Sequence, residues 1–67
     1  MTRDDLLQRI SIDPNICFGK PCIRGTRIWV PLIIENLADG ASEEAILEAY
    51  PSLTRDDIRA ARAYRAD

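Results

Sequence analysis

Leu6, Leu7 and Ile10 punctuate an otherwise polar opening, and their spacing predicts a short helix or an ordered arm from Asp4 to Arg9. Ile10-Ser11-Ile12-Asp13 then alternates apolar and polar, the period of a half-buried strand. Pro14-Asn15 signals a turn, and Phe18-Gly19-Lys20-Pro21 is the densest Gly/Pro stretch. Cys22-Ile23-Arg24 and Arg27-Ile28-Trp29-Val30 flank Gly25-Thr26, a pattern that predicts a tight hairpin with β-branched and aromatic arms. An isolated hairpin is marginal in water, so this one must pack on the rest of the chain or pair with another.

From Pro31 the period lengthens to that of a helix. Pro31 suits a first helical position, where its missing N–H is not needed. Ile33, Ile34, Leu37 and Ala38 share one face, Glu35 and Asn36 lie opposite, and Leu32 falls on that polar side. Gly40 is a left-handed cap candidate. Ser42 is placed to cap a second helix, with Glu43 and Glu44 in its first turn, where the helix dipole favours them. Ala45, Ile46, Leu47, Ala49 and Tyr50 form its apolar face, and Pro51 stops it. Thr54-Arg55-Asp56-Asp57 has the spacing of a capping box, with Asp in place of the usual Glu. The third helix runs to about Arg65, with Ile58, Ala60, Ala61 and Tyr64 on one face and Arg55, Arg59 and Arg62 grouped on the next. Two short helices joined by Pro51-Ser52-Leu53 are the helix-turn-helix arrangement. The expected fold is therefore mainly α: a homeodomain-like three-helix helix-turn-helix bundle with a short N-terminal β element. Residues 1–30 would form the arm and hairpin and residues 31–67 the trihelical core of one compact domain.

Composition narrows the chemistry. With 67 residues there is room for one small core and little room for a deep cleft. The chain has no histidine, which removes Ser-His-Asp and Cys-His catalysis and histidine metal sites together. Cys17 and Cys22 have no second pair to complete a zinc site, so two ordinary thiols, at least one of them buried, are expected. Asp4/Asp5, Glu43/Glu44 and Asp56/Asp57 are adjacent in sequence and diverge on a helix, so they do not form an acid–base pair. No enzyme, cofactor or metal is expected. No apolar run is long enough to span a membrane, and the first residues lack the apolar stretch of a signal peptide, which leaves the cytoplasm as the default compartment.

Charge is segmental. The net charge is −2, yet residues 20–34 carry Lys20, Arg24 and Arg27 with no acid. Glu35, Asp39, Glu43, Glu44 and Glu48 follow with no base before Arg55. A local basic patch can contact phosphate on a globally acidic protein, and the acidic middle can equally face a basic partner.

The strings Ile12-Asp13-Pro14-Asn15-Ile16, Gly19-Lys20-Pro21-Cys22-Ile23-Arg24-Gly25-Thr26-Arg27-Ile28, Gly40-Ala41-Ser42-Glu43-Glu44-Ala45-Ile46-Leu47 and Tyr50-Pro51-Ser52-Leu53-Thr54 resemble domain-of-unknown-function family 433. The likeness spans about residues 10–65 and departs at Cys17-Phe18, where smaller residues would be expected before Gly19-Lys20. It implies a helix-turn-helix fold and, for some members, an antitoxin role beside a small PIN-like ribonuclease. Without a flexible tail beyond the third helix, the folded part or the N-terminal arm would bind such a toxin.

The candidate sites follow. Arg55, Arg59 and Arg62 are placed for DNA contact from a recognition helix; the alternative is a solvated face paired with Asp56 or with the second helix's glutamates. Lys20, Arg24 and Arg27 are candidates for phosphate or partner contact. Trp29 and Leu32 are candidates for a partner or dimer interface, unless the β arm folds over Leu32 and makes Trp29 core. The expected function is an antitoxin-like, homodimeric autorepressor that binds operator DNA and neutralises a PIN-like ribonuclease toxin. The alternative is a protein-interaction module with no DNA binding of its own, which the acidic middle would suit.

Overall fold

A computed structural model describes residues 2–66, with the side chains of Cys17 and Ala66 outside the described set. The expectation for the Cys17 thiol therefore lies outside the described residues, whereas Cys22 is fully buried.

The first helix, α1, covers Arg3–Leu7. It begins at a reciprocal box: the Asp5 N–H donates to Thr2 Oγ1 at 3.1 Å, and the Thr2 N–H donates to Asp5 Oδ2 at 3.1 Å. The strand β1 is Ile10–Ser11, and β2 is Cys22–Ile23. They pair antiparallel in the register Ile10↔Ile23 and Ser11↔Cys22. This adds to the hairpin expectation, which holds in part. The turn at Gly25-Thr26 does form, with Gly25 at φ +83 and the Thr26 N–H donating to the Ile23 carbonyl at 3.0 Å. Its second arm keeps only a bridge, Cys22↔Trp29, and the regular partner of β2 is β1. The β arm thus closes within one chain.

Helix α2 spans Val30–Ala38, starting one residue before the expected boundary with Pro31 in its first turn. It ends in a Schellman motif: Gly40 has φ +93, its N–H donates to the Leu37 carbonyl at 3.1 Å, and the Ala41 N–H donates to Asn36 at 3.0 Å. Helix α3, Glu43–Ala49, is capped by Ser42, whose Oγ accepts from the Ala45 N–H at 3.1 Å. Helix α4, Arg55–Ala66, opens on the capping box read from the sequence: the Thr54 N–H donates to Asp57 Oδ2 at 2.9 Å, and the Asp57 N–H donates to Thr54 Oγ1 at 3.3 Å. The fold is mainly helical with a short two-stranded antiparallel element, and α3, the turn and α4 follow in helix-turn-helix order.

One core joins the arm to the helices. Ile10 and Ile23 from the strands meet Val30 and Ile33 of α2, Ile46 of α3, Leu53, and Ile58, Ala60 and Ala61 of α4. The small side chains at 60 and 61 let neighbouring backbones approach α4, and α1 packs on α4 as well. Ala38, Ala45 and Ala49, assigned to apolar faces by periodicity, are exposed. An alanine on the edge of an apolar stripe has too little side chain to reach the core. No helix among the described residues is long and apolar enough to cross a membrane.

Candidate nucleic-acid interface

Helix α4 presents Arg55, Arg59 and Arg62 on one exposed row, with side chains 56%, 63% and 52% exposed. The helical period brings them together, and each already meets a carboxylate. Arg55 contacts Glu43 and Glu44, each at 3.2 Å; Arg62 contacts Glu43 at 2.8 Å; Arg59 contacts Asp56 at 3.3 Å. Three cations face three anions, so the row carries little net field toward a polyanion. The carboxylates come from the first turn of α3 and the first turn of α4, where the helix dipoles favour them. Glu44 accepts from its own backbone N–H and from Arg55, and together these hold its carboxyl below the ordinary value. Such pairs are exposed, screened by solvent and cheap to open.

The second basic group divides. Arg24 is taken up inside the chain: its Nε donates to the Gln8 carbonyl at 2.8 Å and its Nη2 to the Ile10 carbonyl at 3.4 Å. It ties the arm to β2 rather than reaching outward. Lys20 sits over the Trp29 ring, its Nζ 4.4 Å from the centroid. Arg27 and Trp29 line a cavity of about 400 Å³ together with Pro14, Asn15 and Phe18. Trp29 and Leu32 are each 37% exposed, so the β arm does not bury them. Phe18 is the residue that sequence reasoning missed as a site: it is 91% exposed and adopts a left-handed backbone, φ +57, that bulky residues rarely take. The signal was its size, at a position where the family resemblance leads one to expect a small residue. Beside the row, Arg62 and Arg65 border an apolar groove of about 360 Å³ with Ile34 and Leu37 of α2. Among the described residues no three Cys, Asp or Glu side chains converge where a metal could sit.

A family model described as "Protein of unknown function (DUF433)" matches residues 10–64. The chain belongs to the DUF433 family. This DUF433 chain is 42% identical over 55 residues to "Uncharacterized protein y4eO" of Sinorhizobium fredii (strain NBRC 101917 / NGR234). The match covers 82% of the DUF433 chain and 25% of that relative, so the chain spans about a quarter of the relative's length. Among solved structures it is similar to a DUF433 member protein from Anabaena variabilis ATCC 29413, with a TM-score of 0.82 and 36% identity. That alignment covers 94% of this DUF433 chain and 62% of the other. The matched segment includes both strands, α2, α3 and nearly all of α4, and so contains every candidate site residue.

Proposed function

We propose that this chain is the DNA-binding half of an antitoxin-like pair: a homodimeric autorepressor that reads operator DNA through α4 and neutralises a PIN-like ribonuclease toxin. The arginine row carries the DNA half of this reading, because the second helix of a helix-turn-helix is the element that enters the major groove. The toxin half rests on the family resemblance of the central strings. Operator binding exchanges surface ion pairs for phosphate and guanine contacts. Solvent-exposed pairs of this kind are worth little, whereas a good bidentate base contact is worth about 1–3 kcal/mol. Glu43, Glu44 and Asp56 stay close to the phosphates after the exchange, so a single chain binds weakly and a dimer on two half-sites supplies the affinity. Repression of an operator requires a cytoplasmic protein, and the reading assigns this chain no catalytic step.

The test is an anisotropy titration against duplex DNA from upstream of the gene, at two salt concentrations, with a scrambled duplex as control. Specific, salt-sensitive binding that Arg59→Ala weakens supports the reading. An Arg59→Ala chain with unchanged operator affinity and unchanged salt slope overturns the recognition-helix assignment.

A second reading is a protein-interaction module without DNA binding. The neutralised arginine row and the apolar groove of Ile34 and Leu37, flanked by Arg62 and Arg65, favour it. Co-purification of a neighbour-encoded protein with no DNA shift in either state distinguishes it from the first.

A further inference from the structure

The loop before β2 holds a surface that the α4 reading leaves unused. Phe18 projects from a one-turn 3₁₀ segment, Cys17–Gly19, closed by the Gly19 N–H donating to the Ile16 carbonyl at 3.2 Å. Its ring is the most exposed large apolar side chain among the described residues, and its backbone lies in the left-handed region, a cost that recurs at sites of binding. Beside it the cavity of about 400 Å³ is walled by Pro14, Asn15, Arg27 and Trp29, with exposed Lys20 stacked on Trp29. Of the cations from Pro14 through Ile34, Lys20 and Arg27 border this face, while Arg24 is bonded to the Gln8 and Ile10 carbonyls; the nearest carboxylate in sequence is Asp13, just before Pro14.

We propose that this face binds single-stranded nucleic acid, with one unpaired base stacked on the Phe18 ring and the flanking phosphates held by Lys20 and Arg27. An open aromatic ring set among cations of one sign is a stacking platform: every base has a π face, and the backbone supplies the opposite charge. A duplex hides its base faces in its own stack, so Phe18 has nothing to stack on there. A second copy docked symmetrically on the same patch would set cation against cation. This site goes beyond the operator-binding row on α4 and stands or falls separately from it.

Trp29 is the chain's one tryptophan, so its emission reports directly on this cavity. The experiment titrates the full chain with oligo-dT and oligo-rU of about 12 nucleotides, a length within the footprint of small single-strand-binding domains. A duplex of matched length is the control, and anisotropy of the labelled strand gives the affinity. Both single strands are expected to quench Trp29 with saturation, and two phosphate contacts give a salt slope of about −1.4. Phe18→Leu is expected to weaken binding about fivefold or more, the low end of what one stacked base is worth. Phe18→Tyr is expected to retain affinity. The proposal is overturned if neither strand quenches Trp29 up to about 100 μM, the weak end of non-specific binding. It is equally overturned if Phe18→Leu binds as tightly as the wild type, or if the duplex quenches Trp29 as strongly as the single strands do. The first of these results leaves the patch to a protein partner. Failure of the operator titration, by contrast, leaves the oligonucleotide result standing.

Discussion

Asp57 is a buried charge, 6% exposed, and its two carboxylate oxygens do different work. Oδ2 accepts the Thr54 N–H and closes the first turn of α4, while Oδ1 takes Arg9 Nη1 at 3.2 Å from the start of the arm. Asp57→Ala removes the cap and leaves Arg9 with only its longer contact to Asp56, at 3.6 Å. Because Arg9 is itself 37% exposed, the loss is set mainly by the cap: about 2 kcal/mol, read as a shift in the urea midpoint. Asp57→Asn keeps a cap acceptor and is expected to lose less; equal losses for the two variants would remove the capping account. Gly40 is a second single-residue determinant. A Cβ there would meet nothing within 4 Å, so the cost of Gly40→Ala is purely conformational at φ +93, about 1 kcal/mol. Gly40→Asn should cost less, since Asn tolerates that region. A neutral Gly40→Ala in the same denaturant assay would contradict the Schellman ending.

At the scale of elements, helix starts set the response to acid. Asp5 is held below its ordinary value of 3.8, first by the Thr2 N–H and then by the Thr2 hydroxyl, and Glu44 below 4.5 by its own N–H and then by Arg55. A carboxylate with a depressed folded value stabilises the fold fully above its unfolded value, and that contribution is lost as pH falls through the folded one. The melting temperature is therefore expected to hold above about pH 5 and to decline as pH falls below 4.5 and then below 3.8. Glu44→Gln should flatten the upper part of that decline, and an unchanged profile would exclude the α3–α4 contact as a source. These caps were legible in the sequence because a cap is local: Ser42, Gly40 and the Thr54–Asp57 box each act within four residues. The partner of β2 was not legible. Local pattern favoured the nearby arm of Arg27–Val30, whereas Ile10–Ser11 wins because that pairing puts Ile10 and Ile23 together in the core. The fate of Arg24 was hidden for the same reason: its acceptors, the carbonyls of Gln8 and Ile10, become neighbours only once β1 and β2 pair. The arginine row was legible as a row, since period alone builds it; which of its two alternatives dominates depended on how α3 crosses α4. Phe18 stood outside every periodic element, so only its departure from the family string marked it.

At the scale of the molecule, the two candidate surfaces differ in charge balance. On α4 the arginines are met by Glu43, Glu44 and Asp56, whereas the stretch from Pro14 to Ile34 beside Phe18 contributes cations and no acid of its own, with Asp13 immediately before it. Glu43→Gln removes the acid shared by Arg55 and Arg62 and is expected to strengthen operator binding by several-fold at low salt, with a steeper salt slope. Anisotropy checks this, and weaker binding would show that Glu43 orients the arginines rather than competing for them.

The ion pair between Arg9 and Asp57 joins residues 48 positions apart, and it belongs to the packing of the first helix on the last. During synthesis, then, neither the arm nor the α2–α3 pair meets its full set of neighbours until α4 has left the ribosome. The loop that closes last is almost the whole fold, so its entropic cost is met in a single step rather than in instalments. Such a chain is expected to melt as a single cooperative unit, and a fragment beginning at Pro31, although it holds the entire helix-turn-helix, is expected to lose its helical circular dichroism without the core residues Ile10, Ile23 and Val30 that precede it.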